Sequence, residues 1–180
     1  MPRGSPDQTP LINRVRQLCS GVPDDILQDF FTRMDQEYFR RFDPSTIAEH
    51  IRLTAQLTSE HPCTIAFSEQ PDTRFEITIV AYDYFAAFAT ICGLLSAFGL
   101  NIEEGDIYTF AEKTDPLPSR TSWTGYGPRV RPKGTSDLSR KKIVDVFRVL
   151  PILGEEWGAA QQAQLEEGLH SVITLLDKGQ

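Results

Sequence analysis

Apolar and polar positions change period along this chain, and the changes mark its elements. Phe75, Ile77 and Ile79 alternate with Glu76 and Thr78, a period of two that predicts a strand with one buried face. Beyond it the period lengthens. Tyr84, Phe88, Ile91, Leu95 and Phe98 fall at i, i+4, i+7, i+11 and i+14, one stripe of an α-helix. Gly99 stands where a left-handed helix end is needed, because a residue without Cβ takes positive φ cheaply. Leu100 is placed to fold back on the last turn, and residues 102–110 read as a second strand.

The flanking segments extend the pattern. Residues 1–10 carry three prolines among polar residues and read as a disordered lead. Residues 11–60 read as three helices. The first runs over 11–19. The second has Pro23 at its first position and Asp24 and Asp25 favouring its positive end. The third is opened by Asp43 as N-cap and Pro44 after it. Residues 63–67 read as a short strand, 143–150 as a Val-, Ile- and Phe-rich strand, and 155–176 as a closing helix. Between them, residues 112–140 hold four prolines and three glycines and turn basic from Arg129 onward. A loop of that length is usually functional or disordered. Here it reads first as a solvated, mobile loop and second as a docking patch for an acidic partner.

Residues 61–177 therefore form one α+β domain behind a helical linker segment. Its order from residue 75 is β-α-β-β-α. A ferredoxin-like fold needs βαββαβ, so one strand is wanting. Either residues 63–67 substitute as an edge strand, or the chain is a fragment of a longer polypeptide.

Composition narrows the function. Of 180 residues, 40% are apolar, and 18 basic against 25 acidic residues give a net charge of −7. That balance argues against a general nucleic-acid binder, which needs a surplus of Lys and Arg. No run of eighteen apolar residues is present to span a bilayer, and the first residues lack the apolar core of a signal peptide. Cys19, Cys63 and Cys92 are far apart, as in a reduced cytoplasmic protein. His50, His61 and His170 are scattered, so no metal site and no cofactor is expected. No serine has a nucleophile signature, and Cys92 on an apolar helix reads as inert.

Two stretches carry a family resemblance. Residues 76–83, Glu-Ile-Thr-Ile-Val-Ala-Tyr-Asp, precede a helix rich in small residues, and Ala-Phe-Gly-Leu-Asn-Ile follows at 97–102. Together they resemble an ACT domain, a ferredoxin-like regulatory module that binds amino acids, commonly at a dimer interface. Within that family the likeness is to the ACT region of bacterial bifunctional PII uridylyltransferase/uridylyl-removing enzymes, which respond to glutamine. The third strand, Val144 to Val149, and the stretch 37–53 before the first strand are similar to the same region and its linker helix. The paired aspartates of nucleotidyltransferase chemistry and the His-Asp pair of the hydrolase domain are absent, so no catalytic residue is expected.

The resemblance implies a ligand site. Its residues are Asp83, Tyr84, Phe85 and Ala86 in the loop before the helix, with Asn101 and Ile102 after it. Backbone N–H groups at a helix start attract a carboxylate, Asp83 suits an α-ammonium, and Asn101 both donates and accepts. Plainer readings stand beside these: Asp83 as an N-cap, Asn101 as a tolerant turn residue. Phe85-Ala86 replaces the usual Pro-Gly, and the bulk of Phe85 would fill the pocket. The implied partners are a free amino acid, glutamine foremost, a second copy or a second ACT domain, and an attached or partner nucleotidyltransferase. The alternative is a ligand-free scaffold for dimerisation or protein interaction.

Overall fold

The computed structural model describes residues 9–84, 86–112, 140–152 and 157–177. Residues 1–8 of the lead, Phe85, most of the basic loop and the expected start of the last helix lie outside them, while Thr9 and Pro10, expected in the disordered lead, begin the first helix. Four helices come first: α1 (Thr9–Leu18), α2 (Asp24–Arg33), α3 (Tyr38–Arg41) and α4 (Pro44–Ala55). They are followed by β1 (Cys63–Glu69), β2 (Phe75–Tyr82), α5 (Ala87–Ala97), β3 (Leu100–Thr109), β4 (Lys142–Pro151) and α6 (Ala159–Asp177). The short α3 was not foreseen. Pro23 sits at the N-cap of α2 rather than inside it.

All four strands form one antiparallel sheet in the order β1-β2-β4-β3. Because β2 and β3 both run antiparallel to β4, they are parallel to each other, with β4 between them. β1 takes the free side of β2, pairing Cys63 with Ala81 and Glu69 with Phe75. β1 thus lies at the edge beside β2, the position the edge-strand expectation gave it.

Helices cover both faces. Register puts Ile79, Asp145, Phe147 and Ile107 on the face under α5 and α6, where the Phe88 and Phe147 rings stack at 6.3 Å. Val80, Lys142, Val144 and Tyr108 lie on the other face, under α2 to α4. An aromatic cluster joins that second layer to the sheet. Phe30 meets Phe110 edge-on at 5.2 Å, and Tyr38 meets Tyr108 at 5.1 Å. The buried Tyr38 hydroxyl and His50 Nδ1 share a 2.7 Å hydrogen bond, and burial lowers the imidazole pKa to about 4. Covering both faces explains why β2 is buried almost throughout rather than on alternate residues.

Local signals acted as physical chemistry requires. Asp43 accepts from the N–H groups of Ser45 and Thr46 at 2.8 and 3.2 Å and has its pKa lowered to about 2, chiefly by the Ser45 hydroxyl. Gly99 takes φ 72°. The α5 stripe holds in part. Ile91 and Leu95 are fully buried and Phe98 half-buried, Tyr84 is buried before the helix begins, and Phe88 is 52% exposed. α5 covers the β3 edge, so its side at Phe88 has no third layer to bury it.

Two glycine substitutions test this account of α5. Gly99→Ala forces a Cβ into positive φ and should cost about 1–2 kcal/mol, lowering the unfolding midpoint by about 2–4 °C per kcal/mol. At Gly93, exposed within α5, an added Cβ meets nothing within 4 Å. Gly93→Ala should raise stability by up to about 1 kcal/mol.

Candidate functional site

The end of β2 leads into the head of α5 through a constrained turn. The Asp83 N–H donates to the Lys141 carbonyl at 2.9 Å, and the Ala87 N–H donates to the Tyr84 carbonyl at 3.1 Å. Ala86 is the N-cap residue, held left-handed at φ 62°, and among the described residues no side chain caps the helix. Asp83 is exposed and three residues too early, so it is not the N-cap.

Asp145 lies on the sheet face that α5 and α6 cover. It is paired in register with Ile79 and Ile107, fully buried, and neither carboxylate oxygen has a hydrogen-bond partner among the described residues. Burial raises its pKa from the ordinary 3.8 to about 7, with a smaller push from the negative charge of Asp83. Its charge also helps raise the pKa of the Cys92 thiol, behind desolvation. Asp145 is thus near enough to Asp83 and to Cys92 of α5 for their charges to be felt. Hydrophobic strand periodicity masked it in the sequence: it is an acidic residue inside an otherwise apolar run.

A second buried charge cluster closes the same end of the sheet from the other face. Lys142 Nζ lies 3.2 Å from Asp29 Oδ2, and Arg33 Nη1 lies 3.2 Å from the same oxygen. Arg33 Nε donates to the Ala111 carbonyl at 2.7 Å and Nη2 to the Arg140 carbonyl at 3.3 Å. The ring of Phe110 lies within 5.5 Å of both cations. Arg140 stacks its guanidinium on Tyr82 at 3.6 Å and donates to the Tyr84 hydroxyl at 2.6 Å. Both strand ends that flank residues 113–139 are therefore pinned to α2 and to the approach to α5.

Asn101 and Ile102 lie elsewhere. Asn101 is exposed on the β3 edge opposite Leu150, and Ile102 is half-buried opposite Val149. Tyr82 pairs with Lys142. Eight residues of β4 separate these positions, about 26 Å at strand rise. One chain brings Asp83, Tyr84 and Ala86 together and leaves Asn101 and Ile102 at the far end. Phe85 is outside the described residues. Asn101 is not among the residues with positive φ; Gly99 alone makes that turn.

Among the described residues no group of three His, Cys, Asp or Glu side chains is close enough to hold a metal ion. Among the described residues no helix is long and apolar enough to cross a membrane.

The chain is similar to a bifunctional uridylyltransferase/uridylyl-removing enzyme. It is 28% identical over 91 residues to the enzymes of that name from Bordetella pertussis, Bordetella parapertussis and Bordetella bronchiseptica. The match covers 50% of this chain and 10% of each relative, so the aligned stretch spans about a tenth of their length. No protein-family model matches the chain. The enzyme is the one to which the residues pointed from the sequence.

Two substitutions probe the charges here. A buried acid whose folded pKa is raised favours the fold when protonated. That stability is complete below about pH 4 and is lost as pH rises towards 7. Asp145→Asn should therefore stabilise at pH 8 by on the order of 2–4 kcal/mol and give no gain at pH 4, read by thermal unfolding across pH. Asp29→Ala removes the carboxylate from two buried cations and should cost about 3–5 kcal/mol, measured by denaturant unfolding.

Proposed function

We propose that this chain is a regulatory module of the ACT type that responds to a free amino acid and controls a nucleotidyltransferase of nitrogen metabolism. The observation that carries the reading is the head of α5, without a side-chain cap among the described residues, on the same side of the sheet as the buried, unpartnered carboxylate of Asp145. N–H groups at a helix start suit an α-carboxylate, and a carboxylate without a counter-ion suits an α-ammonium. The two charges of a zwitterion match that pair. In this reading the chain has no catalytic role of its own.

Three features support the reading. The order β2-α5-β3-β4-α6 is that of a ferredoxin-like domain up to its last strand, with β1 at the edge where that strand would pair. The similarity to bifunctional uridylyltransferase/uridylyl-removing enzymes supports attachment to, or work beside, a nucleotidyltransferase. The resemblance to their ACT region favours glutamine as the signal. Binding would act by population shift, since a ligand preferring one arrangement stabilises it.

The same reading calls for a second copy or a second ACT domain. β3 is an open edge whose backbone can continue a sheet, and Ile107 and Phe88 are exposed beside it. Pairing there would bring another copy near Asn101 and Ile102. A ligand-free scaffold is the second reading, favoured by the same apolar edge.

Thermal unfolding against each of the twenty amino acids at millimolar concentration separates them. Saturation at about 100 times the dissociation constant should raise the midpoint by about 5–10 °C. A selective shift with glutamine, abolished in the still-folded Asp145→Asn variant, is the expected result. A flat panel with a folded protein that self-associates would replace the sensor by the scaffold.

A further inference from the structure

β1 is an outer strand: β2 takes one of its sides, and among the described residues no strand takes the other. The phase of the hydrogen bonds fixes which groups are left over. In an antiparallel pair, alternate residues exchange backbone bonds with the neighbour, and those between them turn N–H and C=O away from it. The Tyr82 N–H donates to the Pro62 carbonyl at 3.2 Å, and the Gln70 N–H to the Arg74 carbonyl at 2.8 Å. With the register of β1 on β2, both contacts place the even-numbered residues 62–70 in the bonded set. Cys63, Ile65, Phe67 and Glu69 therefore turn their backbone groups outward. Native edges are commonly blunted by lysine, proline or a bulge. β1 has none of these: residues 63–68 carry no charge and no proline, and the register with β2 is unbroken. A cavity of about 200 Å³ opens beside the first half of the edge, walled by Gln56, Cys63, Ile65 and Glu166. The rings of His61 and of His170 on α6, 5.5 Å apart, complete the wall. Pockets for whole drug-sized ligands measure about 300–1,000 Å³, so this one suits a single side chain.

We propose that the β1 edge receives an extended segment of a partner protein with lysine or arginine at alternate positions, one of which enters the cavity beside Glu166. Strand addition draws affinity from main-chain hydrogen bonds and specificity from pockets for alternate side chains. The outward groups of Ile65 and Phe67 supply the first, and the cavity supplies the second. Charge decides the kind of partner. Residues 56–69 and α6 contain no lysine or arginine and carry Glu60, Glu69, Glu166 and Glu167, all exposed. A basic strand answers those carboxylates, whereas the β1 edge of a second copy would bring the same glutamates together. The edge lies across the sheet from β3, and its docking role stands or falls independently of amino-acid binding at the head of α5.

The test is titration of the isotope-labelled full chain with a synthetic peptide of alternating lysine and valine, as long as the seven residues of β1. The expected result is saturable binding in which the amide resonances of Ile65 and Phe67 shift and gain protection from exchange, while those of β3 stay in place. Replacing the peptide's lysines by glutamate should abolish binding, and Glu166→Lys should weaken the lysine peptide several-fold. Ile65→Pro removes an outward donor and leaves the ladder to β2 intact. It should abolish binding, with folding checked by circular dichroism. Methylating alternate backbone nitrogens of the peptide makes the same cut from the other side, and should abolish binding to the wild-type chain whether or not the proline variant folds. Failure of the lysine peptide to bind overturns the proposal. So do shifts that map to another surface, equal binding of the glutamate peptide, or binding that survives backbone methylation. Shifts of the Ile65 and Phe67 amides on raising protein concentration alone would overturn it in favour of a second copy at this edge.

Discussion

Strand β4 is denied water on both faces for most of its length, and the other elements are arranged to keep it so. β2 and β3 take its two hydrogen-bonding edges. α5 and α6 cover one face, and the N-terminal helices the other. The strand nevertheless contains three ionisable residues, and each is accommodated differently. Lys142 finds the Asp29 carboxylate in the helical layer, at 3.2 Å. Arg148, nearer the rim, joins Glu76, Glu104 and Asp106 in a half-exposed cluster. Asp145 is fully buried and has no such partner among the described residues. Burying a carboxylate without hydrogen bonds is costly enough that the group tends to take up a proton instead. The burial of Asp145 works against the fold as the pH rises towards neutrality.

The helical layer is bound to this strand by chemistry as well as by packing. Asp29 and Arg33 sit one helical turn apart on α2, and both reach the sheet at the point where residues 113–139 leave and return. A buried ionic cluster contributes little net stability against an apolar substitute, but it fixes geometry, because its members are tolerable only together. The N-terminal helices are thereby held in one orientation on the sheet, as a linker must be if a change at α5 is to reach another domain.

Much of this was legible in the chain. The switch of period at Tyr84, the cap pair Asp43-Pro44 and the glycine at 99 each act through local backbone physics, and each element they announced is present. The missed features arise from tertiary contact. Phe88 fits the helical stripe and stacks on Phe147 but stays half open to solvent, because α5 sits over an edge strand. β2 reads as half-buried because periodicity registers one layer and cannot register the second. The candidate ligand residues were found as a list, yet parallel β2 and β3 set Asn101 and Ile102 far from Asp83. Asp145, Lys142 and the His61–His170 pair left no trace, since spacing in sequence says nothing about which distant charges a sheet will bring together.

The edge strand β1 has a consequence for how the chain finds its fold. A closing strand placed after α6 would pair with β2 only once about a hundred intervening residues had been ordered. β1 instead precedes β2 and is joined to it by residues 70–74, where Asp72 and Thr73 both adopt φ 61° and the Gln70 N–H donates to the Arg74 carbonyl at 2.8 Å. Loop-closure entropy grows as the logarithm of loop length, so this exchange saves about 2–3 kcal/mol in forming that pair of strands. The hairpin is a local structure that can form in microseconds. It leaves the other edge of β2 as the place where β4 pairs.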